Sequence, residues 1–164
     1  MPVQTSYSLY TRDAVVGALY GITLTNSVRQ SGVNIGSAAI SFGLGVKNVA
    51  GLGNDRQVEL GSGAFVDGIS MRQIDKQMNV VPGTGAIAYQ KNEVVGILKD
   101  GYINVLLQAG AAAVKGAAAF VHATNGTFAA DATGTHVSTT NVTFESTGVA
   151  GDIVVVNITR SLQA

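Results

Sequence analysis

From Ile40 to Ile158 the chain is a succession of short apolar runs, cut about every eight to twelve residues by glycine. Ala64-Phe65-Val66, Val94-Val95-Gly96-Ile97-Leu98, Tyr102-Ile103-Asn104-Val105-Leu106-Leu107 and Ile153-Val154-Val155-Val156-Asn157-Ile158 are strand-length and rich in β-branched or aromatic residues. Turn chemistry fills the gaps between them. That punctuation commits the chain to an all-β domain. No constellation of acids, histidines or thiols interrupts it, so the pattern reads as a built surface rather than a reaction centre.

At 164 residues the chain has the length of one domain. A compact domain of that size buries roughly 70% of the surface its unfolded chain exposes, enough for a core without staples. Cysteine is absent, which excludes disulfides and thiolate metal sites. Ten Lys+Arg balance ten Asp+Glu with no run of like charge, which argues against a nucleic-acid partner, since that needs a clustered basic face. Charged residues are only 12% of the chain, about half the usual share. A freestanding monomer normally carries more charge, so the shortage points to a surface covered by other protein chains. The N-terminus lacks the charged start and apolar core of a signal peptide, and no apolar run approaches the roughly 18 residues of a membrane span. The expectation is synthesis in the cytosol with no membrane partner.

The first forty residues differ from the rest. Tyr7, Leu9, Tyr10 and Tyr20 sit among Ser, Thr and Gln before any strong alternation begins. Tyrosine has an apolar body and a polar tip, suited to an extended arm lying along another chain or to capping the domain's own core. Residues 11–19 have the length for one or two helical turns, weakened by Val15, Val16 and Gly17. Glycines around Leu52 mark a surface loop; no Lys-Ser/Thr follows them to make a phosphate cradle. Residues 74–78 read as a short helical turn ended by Pro82-Gly83. Two hairpins are expected, at Asp100-Gly101 and at Asn125-Gly126, because both dipeptides accept the positive φ of type I′ turns. The Ala-rich stretch 109–119 is interrupted by Gly110 and Gly116, and reads as a loop and a strand start rather than a helix.

The chain offers little chemistry. His122 and His136 are the only neutral-pH bases, each in a strand or turn context without an obvious partner. Ser138, His136 and Asp131 crowd together in sequence, but nothing resembles a nucleophile elbow. The ten acids are scattered singly, and those beside glycine are better explained as turn residues. No catalytic residue, cofactor or metal ligand is assigned.

The order of the pieces is more telling. A Tyr/Gln/Ala segment leads to Ile40-Ser41-Phe42-Gly43-Leu44-Gly45-Val46, then to Gly63-Ala64-Phe65-Val66-Asp67-Gly68-Ile69. Lys99-Asp100-Gly101-Tyr102-Ile103-Asn104-Val105, Lys115-Gly116-Ala117-Ala118-Ala119-Phe120-Val121-His122, Asn125-Gly126-Thr127-Phe128 and the closing Gly151-Asp152-Ile153-Val154-Val155-Val156 follow. This order resembles the structural cement, or head-decoration, proteins of tailed bacteriophages. The resemblance implies a virion protein without enzymatic activity, a homotrimer on the capsid exterior that clamps neighbouring major capsid protein subunits. The expected architecture is a jelly-roll-like β-sandwich or barrel over 38–164, preceded by an N-terminal extended arm and lead-in over 1–37. Tyr7, Leu9, Tyr10, Tyr20 and Leu52 are the expected capsid or subunit contacts. The competing reading is a β-sandwich module binding a glycan or peptide on a particle surface, against which stand the absence of tryptophan and the dispersal of Phe and Tyr.

Overall fold

The computed structural model describes residues 15–20, 27–49, 57–73 and 87–160. Among these every regular element is a strand: β1 (Val28–Asn34), β2 (Ile40–Ser41), β3 (Gly45–Asn48), β4 (Gln57–Leu60), β5 (Gly68–Ser70), β6 (Ala88–Tyr89), β7 (Val94–Ala109), β8 (Ala118–His122), β9 (Phe128–Ala129), β10 (His136–Phe144) and β11 (Ile153–Ile158). Nine of them form one sheet in the order β1-β4-β3-β5-β7-β11-β10-β8-β9, with β2 and β6 as a separate pair. Two further pairings, β1 with β7 and β7 with β9, close that sheet on itself twice. The result is barrel-like: an N-terminal ring of β1, β4, β3, β5 and β7, and a C-terminal ring of β7, β11, β10, β8 and β9. Closure removes the unpaired edges that an open sheet would offer to other chains.

β7 makes this possible. At 16 residues it is roughly 50 Å long if straight, and each end serves a different ring. Residues 94–98 pair with Arg29 to Val33 of β1 on one edge, and Leu98 meets Ile69 of β5 on the other. Residues 101–106 pair with β11. The expected hairpin at Asp100-Gly101 is therefore absent: the chain runs straight through it. Gly101 keeps its positive φ of 125°, the β1 register shifts between Val28 and Arg29 alongside it, and Asp100 accepts a hydrogen bond from Arg160 N at 3.1 Å. Long-range partners on both edges override the local turn preference of Asp-Gly.

The second expected hairpin forms, with a different turn. β8 and β9 are antiparallel neighbours, but the link is the loop 123–127, closed by His122 N to Thr127 O (2.9 Å) and Gly126 N to His122 O (3.1 Å). Gly126 has φ 68°, whereas Asn92 is the one non-glycine with positive φ among the described residues, so Asn125 does not supply the second left-handed position of type I′. Stretch 109–119 is a loop entering β8, as read from its glycines. Residues 15–18 make one turn, Ala18 N to Val15 O at 3.0 Å, and Leu19 then bridges Ile103 of β7. The expected helical turn at 74–78 and the loop about Leu52 lie outside the described residues. Residues 28–34, grouped with the arm in the sequence reading, form β1 of the N-terminal ring.

Each ring is filled by side chains, as small barrels are. The C-terminal ring encloses the larger core, including Ile103, Val105, Leu107, Phe128, Phe144 and Val156. The N-terminal ring holds Ile40, Val46, Val58, Tyr89, Val95 and Ile97, with the Phe42 ring edge-on to Tyr89 at 5.5 Å. The rings meet where the 123–127 loop rests on β3 and on the β4–β5 connection. Gly45 N donates to Gly126 O at 2.8 Å, and a Cβ on Gly126 would stand 2.2 Å from Gly45 O. Nearby, the Asn141 amide donates to Val66 O and accepts from Val66 N, both at 2.9 Å, so a β10 side chain pairs with the backbone of the other ring.

Candidate functional site

Of the expected contact residues, Tyr7, Leu9, Tyr10 and Leu52 lie outside the described residues. Tyr20 lies within them and is 54% exposed. Its backbone N donates to Tyr102 O at 3.1 Å, one step beyond the Leu19–Ile103 bridge, so the two tyrosines are cross-strand neighbours. Side chains alternate along a strand. Leu19 and Ile103 face the core, which turns Tyr20 and Tyr102 outward, the latter 38% exposed.

The same outward parity along β7 brings up Leu106 and Gln108, which line a cleft of about 580 Å³. Its apolar wall is Val15, Val16, Phe42, Leu44 and Ile153, with Arg72 and Thr127 at polar positions. The cleft thus lies between the 15–18 turn, the β2–β3 segment 41–44 and the outward residues of β7. A second apolar surface crowns the far end of the C-terminal ring. The loops before β8 and before β11 are tied by Ala113 N to Gly148 O at 2.7 Å, and they present Val114 and Val149, 59% and 58% exposed. Large side chains this exposed are a feature of surfaces that meet other proteins.

The histidines, read from sequence as lacking partners, are partners of each other. His122 of β8 and His136 of β10 are in direct register, ring centroids 5.0 Å apart and nearly perpendicular. Burial, then the neighbouring His136, lowers the His122 pKa below the usual imidazole value. His136 Nδ1 lies 2.5 Å from Thr133 O and its Nε2 3.3 Å from Thr127 Oγ1; neither contact is to Ser138. Asp131 is a turn residue: its carboxylate accepts the Thr133 hydroxyl and, at 2.9 Å, the Ala111 N–H, and these bonds hold its pKa below the ordinary carboxylate range. The nucleophile-base contact that a hydrolytic triad requires is therefore not made. Among the described residues no group of three or more His, Cys, Asp or Glu converges as metal ligands do.

A family model described as structural cement protein (E217 gp24/Pam3 gp6) matches residues 3–159. The chain belongs to this phage structural cement family. Cement proteins are virion components that stabilise capsids and associate with capsid proteins, and the two-ring body is this chain's version of one. Among solved structures, a chain from "The capsid of Myoviridae Phage XM1" is similar in fold, with a TM-score of 0.66 at 16% identity over 96% of this chain and 97% of that one. No curated protein matches.

The paired tyrosines of this cement protein were half legible in sequence. The alternation Tyr102-Ile103-Asn104-Val105 separates the outward residues from the core ones, but only the long-range bridge at Leu19 brings Tyr20 alongside. The histidine register had no sequence signal.

Proposed function

We propose that this protein, made in the host cytoplasm, docks as a homotrimer on the outer surface of the expanded capsid and bridges major capsid protein subunits. The observation that carries this reading is the family match over residues 3–159. The physical requirement is differential contact. A cement protein stabilises the mature shell only by binding it better than the precursor, because equal affinity for both arrangements shifts no equilibrium. Three linked copies make modest contacts sufficient, since effective concentration raises avidity by about 10² to 10⁴ over one site. Tyr20 with Tyr102 supplies aromatic anchors of the kind that dominate interfaces. Tyr7, Leu9 and Tyr10 extend the same chemistry toward a neighbour, and Leu52 adds a loop contact.

The test is co-sedimentation of the purified protein with undecorated expanded heads, using unexpanded proheads as control. Saturable binding to expanded heads alone is expected. Equal binding to both particles, or to neither, would overturn the reading. Removing residues 1–10 should weaken binding, and full retention would dismiss the arm as an anchor.

A further inference from the structure

The two rings are clamped through the 123–127 loop, and a histidine holds that loop from one side. His122 Nδ1 accepts the backbone N–H groups of Thr124 at 3.2 Å and Asn125 at 3.3 Å, with the Thr124 hydroxyl also 3.2 Å from it. Its other nitrogen lies 2.5 Å from Thr135 Oγ1. An Nδ1 that accepts N–H groups has no proton, so this network fixes His122 as the neutral Nε2–H tautomer. His136 is placed differently: both its nitrogens face oxygen atoms, Thr133 O and Thr127 Oγ1, so a doubly protonated ring there keeps both hydrogen bonds. A doubly protonated His122 cannot keep the two backbone bonds, and its Nδ1–H finds only the Thr124 hydroxyl oxygen as an acceptor. Its new N–H would point at two N–H donors, with the His136 ring centroid 5.0 Å away.

The same loop carries the junction. Gly126 O accepts from Gly45 N at 2.8 Å, and a Cβ on Gly61 would meet Ala123 O at 2.2 Å, so the loop backbone touches the N-terminal ring with no space between. The elements packed on this corner present few charges. β10 contributes His136, the β9–β10 turn contributes Asp131, which interacts with His136, and β3 and the β4–β5 connection contribute Gly45 and Gly61.

We propose that the His122–His136 pair is an acid-sensitive latch: a proton on His122 Nδ1 expels the Thr124 and Asn125 N–H groups, frees the 123–127 loop, and opens the clamp between the rings. The latch holds the neutral ring, so its stabilisation is fully present above the unfolded imidazole value of about 6.5. It declines as pH falls below that value toward the lowered one of folded His122. The device acts within one chain and does not depend on what the protein docks against.

Amide hydrogen exchange on the full chain from pH 8 to 5, corrected for intrinsic rates, tests it. Protection at Thr124 and Asn125 should fall by up to about tenfold per pH unit once His122 titrates, ahead of strand amides in either ring. In His122→Asn the side-chain oxygen replaces the Nδ1 acceptor without titrating, so protection there should be independent of pH. His136→Asn removes the neighbouring charge and should move loop opening to higher pH. Ring titration of the wild-type protein by NMR decides the matter should the first variant not fold. A His122 that titrates at or above the ordinary imidazole value, or Thr124 and Asn125 amides whose protection ignores pH, would overturn the proposal. So would a His122→Asn variant as acid-sensitive as the wild type.

Discussion

The two rings share one strand and are held by different means. Among the described residues the buried cluster centred on the C-terminal ring has fifteen members, two of them phenylalanines with no exposure and three, Val66, Ile69 and Leu98, contributed from the N-terminal side, whereas the cluster within the N-terminal ring has six. The smaller core is short of apolar area, and its chain bends are fixed by buried polar side chains. Asn34 donates to Ala38 O and Tyr89 O at 3.0 and 3.2 Å, the Ser70 hydroxyl donates to Ser41 O at 2.7 Å while accepting from Leu44 N at 2.9 Å, and the Tyr89 hydroxyl reaches Met71 O at 2.6 Å. Burying such groups is tolerable only because each is bonded. One ring resists loss of volume poorly, and the other resists loss of specific hydrogen bonds poorly.

The largest test of that contrast is Phe144→Ala in the C-terminal core, expected to cost about 3 to 5 kcal/mol from lost transfer energy and the cavity left behind. Urea unfolding should show the midpoint falling with little change in slope; a cost under about 1 kcal/mol would mean that this core is not the anchor. Next, Gly126→Ala strikes the junction. A left-handed φ of 68° and a Cβ held 2.2 Å from Gly45 O together cost roughly 3 kcal/mol. Calorimetry should resolve one transition into two as the rings lose their coupling, and one unshifted transition would show that the clamp is dispensable. Tyr89→Phe preserves the volume and deletes a hydrogen bond, so about 1 kcal/mol is expected, with exchange protection falling in β1 and β5 and unchanged in β10. Uniform loss across both rings would erase the distinction. The smallest effect belongs to Lys47→Ala. Its 3.1 Å pair with Glu59 is substantially exposed, and a change within about 0.5 kcal/mol is expected, disappearing in high salt.

The C-terminal ring was also the more legible one. The run Ile153 to Ile158 is apolar at nearly every position because β11 is covered on both faces, and β10 alternates at Val142 and Phe144. Strand existence could be read there from composition. In the N-terminal ring only the 94–98 run could be read so: β1 is Val-Arg-Gln-Ser-Gly-Val-Asn and owes its extended form to six paired positions on β7 rather than to its own side chains. Asp100-Gly101 misled for the same reason, since a dipeptide reports what the backbone tolerates and its neighbours decide what it does. Tyr20 was legible as a candidate contact from its residue type. That Tyr102 stands beside it, and that His122 meets His136, depends on registers between distant segments that no local pattern encodes.

A single covalent strand running through both rings also has a mechanical meaning. Any pull that tends to part the rings runs along the β7 backbone as well as across the 123–127 junction, and to slip free β7 must shear its ladders with β1 and β11 together rather than unzip them one bond at a time. A body built this way takes up tension as a tie does, stretching little and releasing all at once.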